Sequence, residues 1–238
     1  MTPQTIAFVY AHPDDETFLS AALIRELADA GHKPVLLLAT KGDAGKKNGA
    51  FGHLSNEELA AVREREMDKA AAILGLAATR YLGYPDGQSN KADEAEFIQR
   101  IVDFLQRHQP SVVVTFPEDG GNFHPDHMMI SKMATAAVLS GRCPSVRKLY
   151  YVFSTSLADR GLTASVSIDT ESRWPMKAEA LRAHESQILA IQRYFGDLEA
   201  FPENRRYESF VLAWERGVLW PPARPERSVL DGLDKLDG

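Results

Sequence analysis

The chain has 238 residues but only one cysteine, Cys143, so no internal disulfide can brace it. No stretch approaches the roughly 18 consecutive apolar residues that a membrane-spanning helix needs. No lysine- or arginine-rich run occurs. Lys plus Arg total 27 against 33 Asp plus Glu, a formal net charge of −6, which argues against a nucleic-acid backbone or an anionic membrane surface as a partner. The N-terminal "MTPQTIAFVYAHPDD" lacks the basic start, long apolar stretch and small-residue cleavage site of an export signal, so a cytoplasmic location is expected. No G-x-G-x-x-G follows the first apolar run, which argues against dinucleotide binding, and no internal repeat is visible.

What is present suits one α/β domain, with 44% hydrophobic residues and a length sufficient for a sizeable core. Strand-length apolar runs at 5–11, 34–40, 79–83 and 111–116 alternate with segments of helical spacing at 15–31, 55–76, 94–108 and 126–139, and a β-rich stretch covers 146–154. Ser55 and Glu58 have the spacing of a capping box. This alternation predicts a Rossmann-like three-layer domain: a mainly parallel sheet with helices on both faces. The domain is expected over 1–220. The Pro-rich tail, 221–238, is expected to be disordered or packed on a neighbouring subunit.

Two clusters carry the chemistry. "YAHPDDETF" (10–18) ends the first strand, and "HPDH" (124–127) follows the strand at 111–116, so both fall at the carboxyl edge of a parallel sheet, where ligands bind. Either cluster alone could be a helix cap, because aspartate accepts first-turn amides and proline suits an early helical position. The repetition of His-Pro-Asp after two buried strands favours a site. Two imidazoles and a carboxylate can hold a catalytic zinc with one position left for water. His12 and Asp15 can be aimed at one ion from a strand end and the first helical turn, and one histidine of "HPDH" completes the set. Such an ion lowers the pKa of water and polarises a carbonyl, and the spare Asp14 is placed to take the proton. The same three donors also match non-haem Fe(II) oxygenases, and a metal-stabilised sugar-binding protein is a third reading.

The order "AHPDDE" then "HPDH" resembles the LmbE/PIG-L family of zinc-dependent N-acetylglucosamine deacetylases, as do "VREREM" (62–67), "LGYPDG" (82–87), "AHESQ" (183–187) and "ESFVLA" (208–213). The resemblance implies His12, Asp15 and His127 as ligands of Zn2+, or of another divalent metal such as Fe2+, with Asp14 as the general base. It implies that His124 acts as an imidazolium stabilising the oxyanion, that Asp126 orients or charges His124, and that Arg63 and Asp86 hold the sugar. An N-acetylated amino-sugar substrate follows, and assembly into a trimer or hexamer is possible. From the residues themselves, Arg63 could instead lie on a solvated helix face and Asp86 could serve only a turn. Glu16 reads as a helix-dipole residue and His184 as a core histidine. Lys41, Lys46 and Lys47 read as a solvated loop or as a contact for an acidic aglycone.

Overall fold

The computed structural model describes residues 2–233. The strands are β1 (Thr5–Tyr10), β2 (Lys33–Thr40), β3 (Ala78–Tyr84), β4 (Val112–Thr115), β5 (Lys148–Val152), β6 (Val166–Asp169), β7 (Tyr207–Glu215) and β8 (Val218–Leu219). The helices are α1 (Asp15–Asp29), α2 (Asn56–Leu74), α3 (Glu94–His108), α4 (Pro125–Leu139), α5 (Thr155–Asp159), α6 (Trp174–Ala183) and α7 (Ile188–Phe195). The order in the sheet is β3-β2-β1-β4-β5-β7-β6, with β8 paired to β7. β1 to β5 are parallel, as the βα alternation predicts, and β7 runs antiparallel to both β5 and β6. The reversal at β7 could not be read from apolar run length, which carries no direction.

The chain winds outward from β1 to β3, then returns to β4 on the other side of β1. Right-handed crossovers therefore place α1 and α2 on one face and α3 and α4 on the other. The packing agrees, since α6 lies against α1 and α2 while α3 lies against α4. β1 and β4 are buried on both faces because each is covered twice, which is why they read as unbroken apolar runs. The gap between their carboxyl ends is the topological switch point of the sheet. The capping box closes α2 as the Ser55/Glu58 spacing predicts.

The Pro-rich tail departs from expectation. As far as residue 233 it packs on its own chain, with Val229 and Leu230 inside the main core. Glu226 meets the buried Lys148 ammonium at 2.8 Å and accepts from the Tyr150 hydroxyl. A lysine at the start of a covered strand needs a counter-charge, and the tail carries it. Residues 234–238 of that tail lie outside the described residues. Among the described residues, no helix is long and apolar enough to cross a membrane.

Candidate active site

Three strand ends and one helix converge at the switch point. β1 delivers His12, and the chain then turns into α1, with Asp14 as its N-cap and Asp15 as its first residue. β4 leads through a Gly-Gly loop to α4, where His124 is the N-cap and Pro125 the first residue. The turn after β3 brings Asp86, and α2 sends Arg63 over from the side. Every predicted site residue therefore meets at one edge, and His12, Arg63, Asp126 and His127 are buried there.

The inner atoms suit a tetrahedral ion. His12 Nδ1 lies 3.2 Å from His127 Nε2, His127 Nε2 lies 3.4 Å from Asp15 Oδ1, and His12 Nδ1 lies 3.6 Å from Asp15 Oδ2. Zinc with bonds of about 2.0–2.1 Å sets neighbouring tetrahedral ligands about 3.3 Å apart. The outer nitrogens face acceptors: His127 Nδ1 meets the Gly120 carbonyl at 3.1 Å, and His12 Nε2 meets Asp86 Oδ1 at 3.1 Å and Asp126 Oδ2 at 3.2 Å. Protons held on the outside leave lone pairs facing inward, the arrangement of metal-ligating histidines. Burial pushes the His127 pKa down, which favours the neutral, ligating ring. Burial opposes charge on Asp15, yet His127 and His12 hold its carboxyl down at about 2. The His12 ring is likewise buried, but Asp126, Asp15 and Asp86 raise its pKa well above the ordinary value. A cation in this space answers their charge.

His12, His124 and His127 also offer ring nitrogens within 4.8 Å of one another, as do single atoms of His12, Asp86 and Asp126. The second of these sets is engaged in hydrogen bonds already. Asp126 accepts from Gly87 N at 2.6 Å, from Ser89 N at 3.1 Å and from the Ser89 hydroxyl, and so stays well below the carboxylate range despite burial.

Asp14 stands beside the inner atoms. Its backbone has φ 110°, a conformation costing a non-glycine residue about 1–3 kcal/mol. Its Oδ2 takes a 3.0 Å bond from Arg63 Nη2, and the same guanidinium donates to the Pro13 and Gly42 carbonyls. A side chain at Gly42 would collide with Arg63, its Cβ falling 2.1 Å from Nη1. Burial pushes the Asp14 carboxyl up to about 6, with Arg63 opposing and Asp15 reinforcing the rise. A base with that pKa is matched to neutral solution.

The Asp126 carboxylate bonds His12 rather than His124, because the first turn of α4 points that side chain inward toward β1 and the β3 turn. His124 Nδ1 accepts from Asp126 N at 3.2 Å, which leaves Nε2 as the ring's donor. Arg63 also bonds Asp14, and Asp86 Oδ1 lies 3.1 Å from His12 Nε2 while its Oδ2 accepts from Ala44 N, so both residues position protein groups of the site. The solvated-face reading of Arg63 also fails, since the residue is buried.

Sequence spacing missed a pairing. His184 Nε2 lies 3.0 Å from Glu16 Oε1, and Glu16 Oε2 accepts from Asp14 N at 3.0 Å. The two residues are 168 positions apart and lie on different helical segments, so nothing in periodicity connects them. His184 is indeed in the core, where burial lowers and Glu16 more than restores its pKa, with a net rise. Lys41 pairs with Glu64 at 2.9 Å and Lys47 with Asn56 at 2.6 Å, which fits a solvated loop.

The profile of the PIG-L family, described as GlcNAc-PI de-N-acetylase, matches residues 7–138. A 1D-myo-inositol 2-acetamido-2-deoxy-alpha-D-glucopyranoside deacetylase from Kineococcus radiotolerans is 28% identical, over 78% of this chain and 69% of its own. Its counterpart from Saccharomonospora viridis is 29% identical, over 76% of this chain and 84% of its own. Among solved structures, N,N'-diacetylchitobiose deacetylase from Pyrococcus horikoshii aligns with TM-score 0.67 and 20% identity, over 89% of this chain and 84% of that one. A 4-carboxy-2-hydroxymuconate hydratase from Pseudomonas putida aligns with TM-score 0.66 and 19% identity, over 90% and 97% respectively. The fold by itself therefore does not choose a reaction. The profile begins within β1, covers β2 to β4 and includes both His-Pro-Asp clusters, and the chain belongs to the PIG-L family of de-N-acetylases.

Proposed function

We propose that this chain is a zinc-dependent hydrolase that removes the N-acetyl group from a GlcNAc-containing small molecule, releasing acetate and a free amine. The observation that carries the reading is the inner triangle of His12 Nδ1, His127 Nε2 and Asp15, with donor spacings of 3.2–3.6 Å and Asp14 beside it. The relatives named as glucosaminide deacetylases support the substrate class.

His12, Asp15 and His127 would hold the zinc, which would supply Lewis acidity toward water and toward the acetamide carbonyl. Asp14 takes the proton of the attacking water, and Arg63 keeps its carboxylate aimed and partly ionised. His124, its Nδ1 engaged by Asp126 N, donates from Nε2 to the oxygen that becomes negative as the carbonyl carbon turns tetrahedral. The proton on Asp14 then passes to the departing nitrogen, which leaves as the amine. Asp86 and Asp126 fix the tautomer and tilt of His12. The oxygenase reading gives Asp14 no task, and the binding-only reading needs neither Asp14 nor His124. A small N-acetylated amino sugar as partner, a cytoplasmic location and assembly into a trimer or hexamer belong to the same proposal.

The test is amine release from a panel of N-acetylglucosaminides by metal-free and zinc-reconstituted protein, with bound metal quantified in parallel. Zinc-dependent release from any member is the expected result. Bound zinc without release across the panel overturns the hydrolase reading, and failure to bind metal overturns the site itself.

A further inference from the structure

The cavity at Asp14 and His127, about 340 Å3, abuts a second of about 200 Å3, and the two share Phe18, Leu19, Val152, Phe153 and Tyr194 as lining. An acetamide placed at Asp14 leaves the far side of Phe18 and Tyr194 to the remainder of the substrate. The charges lining that second cavity are those of Lys177, Glu208 and Arg205. Lys177 and Glu208 cancel: Nζ lies 2.6 Å from Oε1, the ammonium also donates to the Phe18 carbonyl, and the carboxylate accepts from Ala22 N and Leu23 N. Arg205 is different. It is half-buried, its Cζ sits 3.8 Å from the Tyr194 ring centroid, and its Nε is buried without a hydrogen-bond partner. Among the described residues no carboxylate pairs with it. Its neighbour Arg206 shows what the same turn does when acceptors are supplied, since it is tied to Asp169, Glu171 and Glu203.

A guanidinium lying over a tyrosine ring can keep its N–H donors for planar or tetrahedral oxyanions. The net positive charge of this cavity is therefore one unspent fork of donors beyond the sugar position. We infer that Arg205 recognises an anionic group, a carboxylate or a phosphate ester, on the aglycone of the glucosaminide. The inference rests on the deacetylase reading for the identity of the sugar.

The experiment uses the zinc-loaded full chain and three deacetylated glucosaminides, with 4-carboxyphenyl, 4-phosphooxyphenyl and 4-hydroxymethylphenyl aglycones, titrated calorimetrically against wild type, Arg205→Gln and Arg205→Lys. Wild type is expected to bind at least one anionic glucosaminide at least about tenfold more tightly than the neutral one, the scale of a charge-assisted pair. In Arg205→Gln that ratio collapses toward one, and in Arg205→Lys, which keeps the charge but loses the planar fork, it is partly retained. Preference for only one of the anions identifies the group. An equal or weaker affinity for both anionic compounds in wild type, or a ratio unchanged in Arg205→Gln, overturns the inference. Acetate release from the N-acetylated neutral glycoside tests the deacetylase reading separately, because the binding ratio is read on compounds that need no turnover.

Discussion

Two buried charged clusters sit at opposite ends of the sheet, and they are built differently. At the amino end of β5, Lys148 has three donors and three acceptors: Glu226 at 2.8 Å, the Tyr150 hydroxyl at 3.1 Å and the Asp231 carbonyl at 2.5 Å. At the carboxyl ends of β1 and β4, the outer nitrogens of His12 and His127 are satisfied while their inner nitrogens face each other at 3.2 Å. The first cluster is closed and needs nothing. The second requires a shared proton or a cation between its rings. A saturated buried charge is architecture, whereas one with unspent donor capacity is where a ligand belongs.

The comparison can be broken most decisively at the open cluster. His127→Ala removes one corner of the triangle, and zinc per chain by mass spectrometry is expected to fall to near background together with turnover. Unchanged metal content would show that His127 is no ligand. Asp14→Asn keeps the metal and is expected to lose about 10³-fold or more in kcat/KM, near the upper range for a lost general base. Wild-type kcat/KM is expected to fall as pH drops below about 6, where the Asp14 carboxylate takes up its proton. Arg63 stabilises the ionised form, so Arg63→Met moves that midpoint upward, and an unmoved midpoint would detach Arg63 from the base.

At the closed cluster the expected loss is in stability alone. Glu226→Ala removes the nearer counter-charge of a buried ammonium, leaving only Glu215 at 3.7 Å, and should cost about 3 kcal/mol in denaturant unfolding, with zinc content unchanged. His124→Ala should retain zinc and lose about 10²-fold in turnover, as when one oxyanion donor is removed. Asp126→Asn is the mildest: metal affinity falls roughly tenfold as His12 loses its orienting carboxylate. If it instead left the metal untouched and altered only the His124 step, the sequence-based assignment of Asp126 would be restored.

How far the sequence could be read follows from the range of each signal. The strand and helix alternation is local, and the repeated His-Pro-Asp marks both ends of the switch point, so the edge of the sheet where the clusters lie is legible in the sequence, whereas Arg63 and Asp86 are legible only through the family resemblance. Direction and partnership are not local. Asp126 is served by Gly87 and Ser89 and serves His12, and only the folded sheet brings those segments together. Arg63 lies next to Val62 on a helix, and periodicity placed it near a boundary without saying that the boundary faces Asp14. The tail read as loose because its prolines break periodic structure, yet the ion pair to Lys148 is a contact between residues 78 positions apart.

Asp14 carries one more implication. A backbone at φ 110° would be held with less strain by glycine, so a selection for heat resistance alone would drift toward Asp14→Gly and silence the base. Programmes that evolve this chain for robustness therefore need turnover in the screen from the first round, or the most stable descendants will be inert.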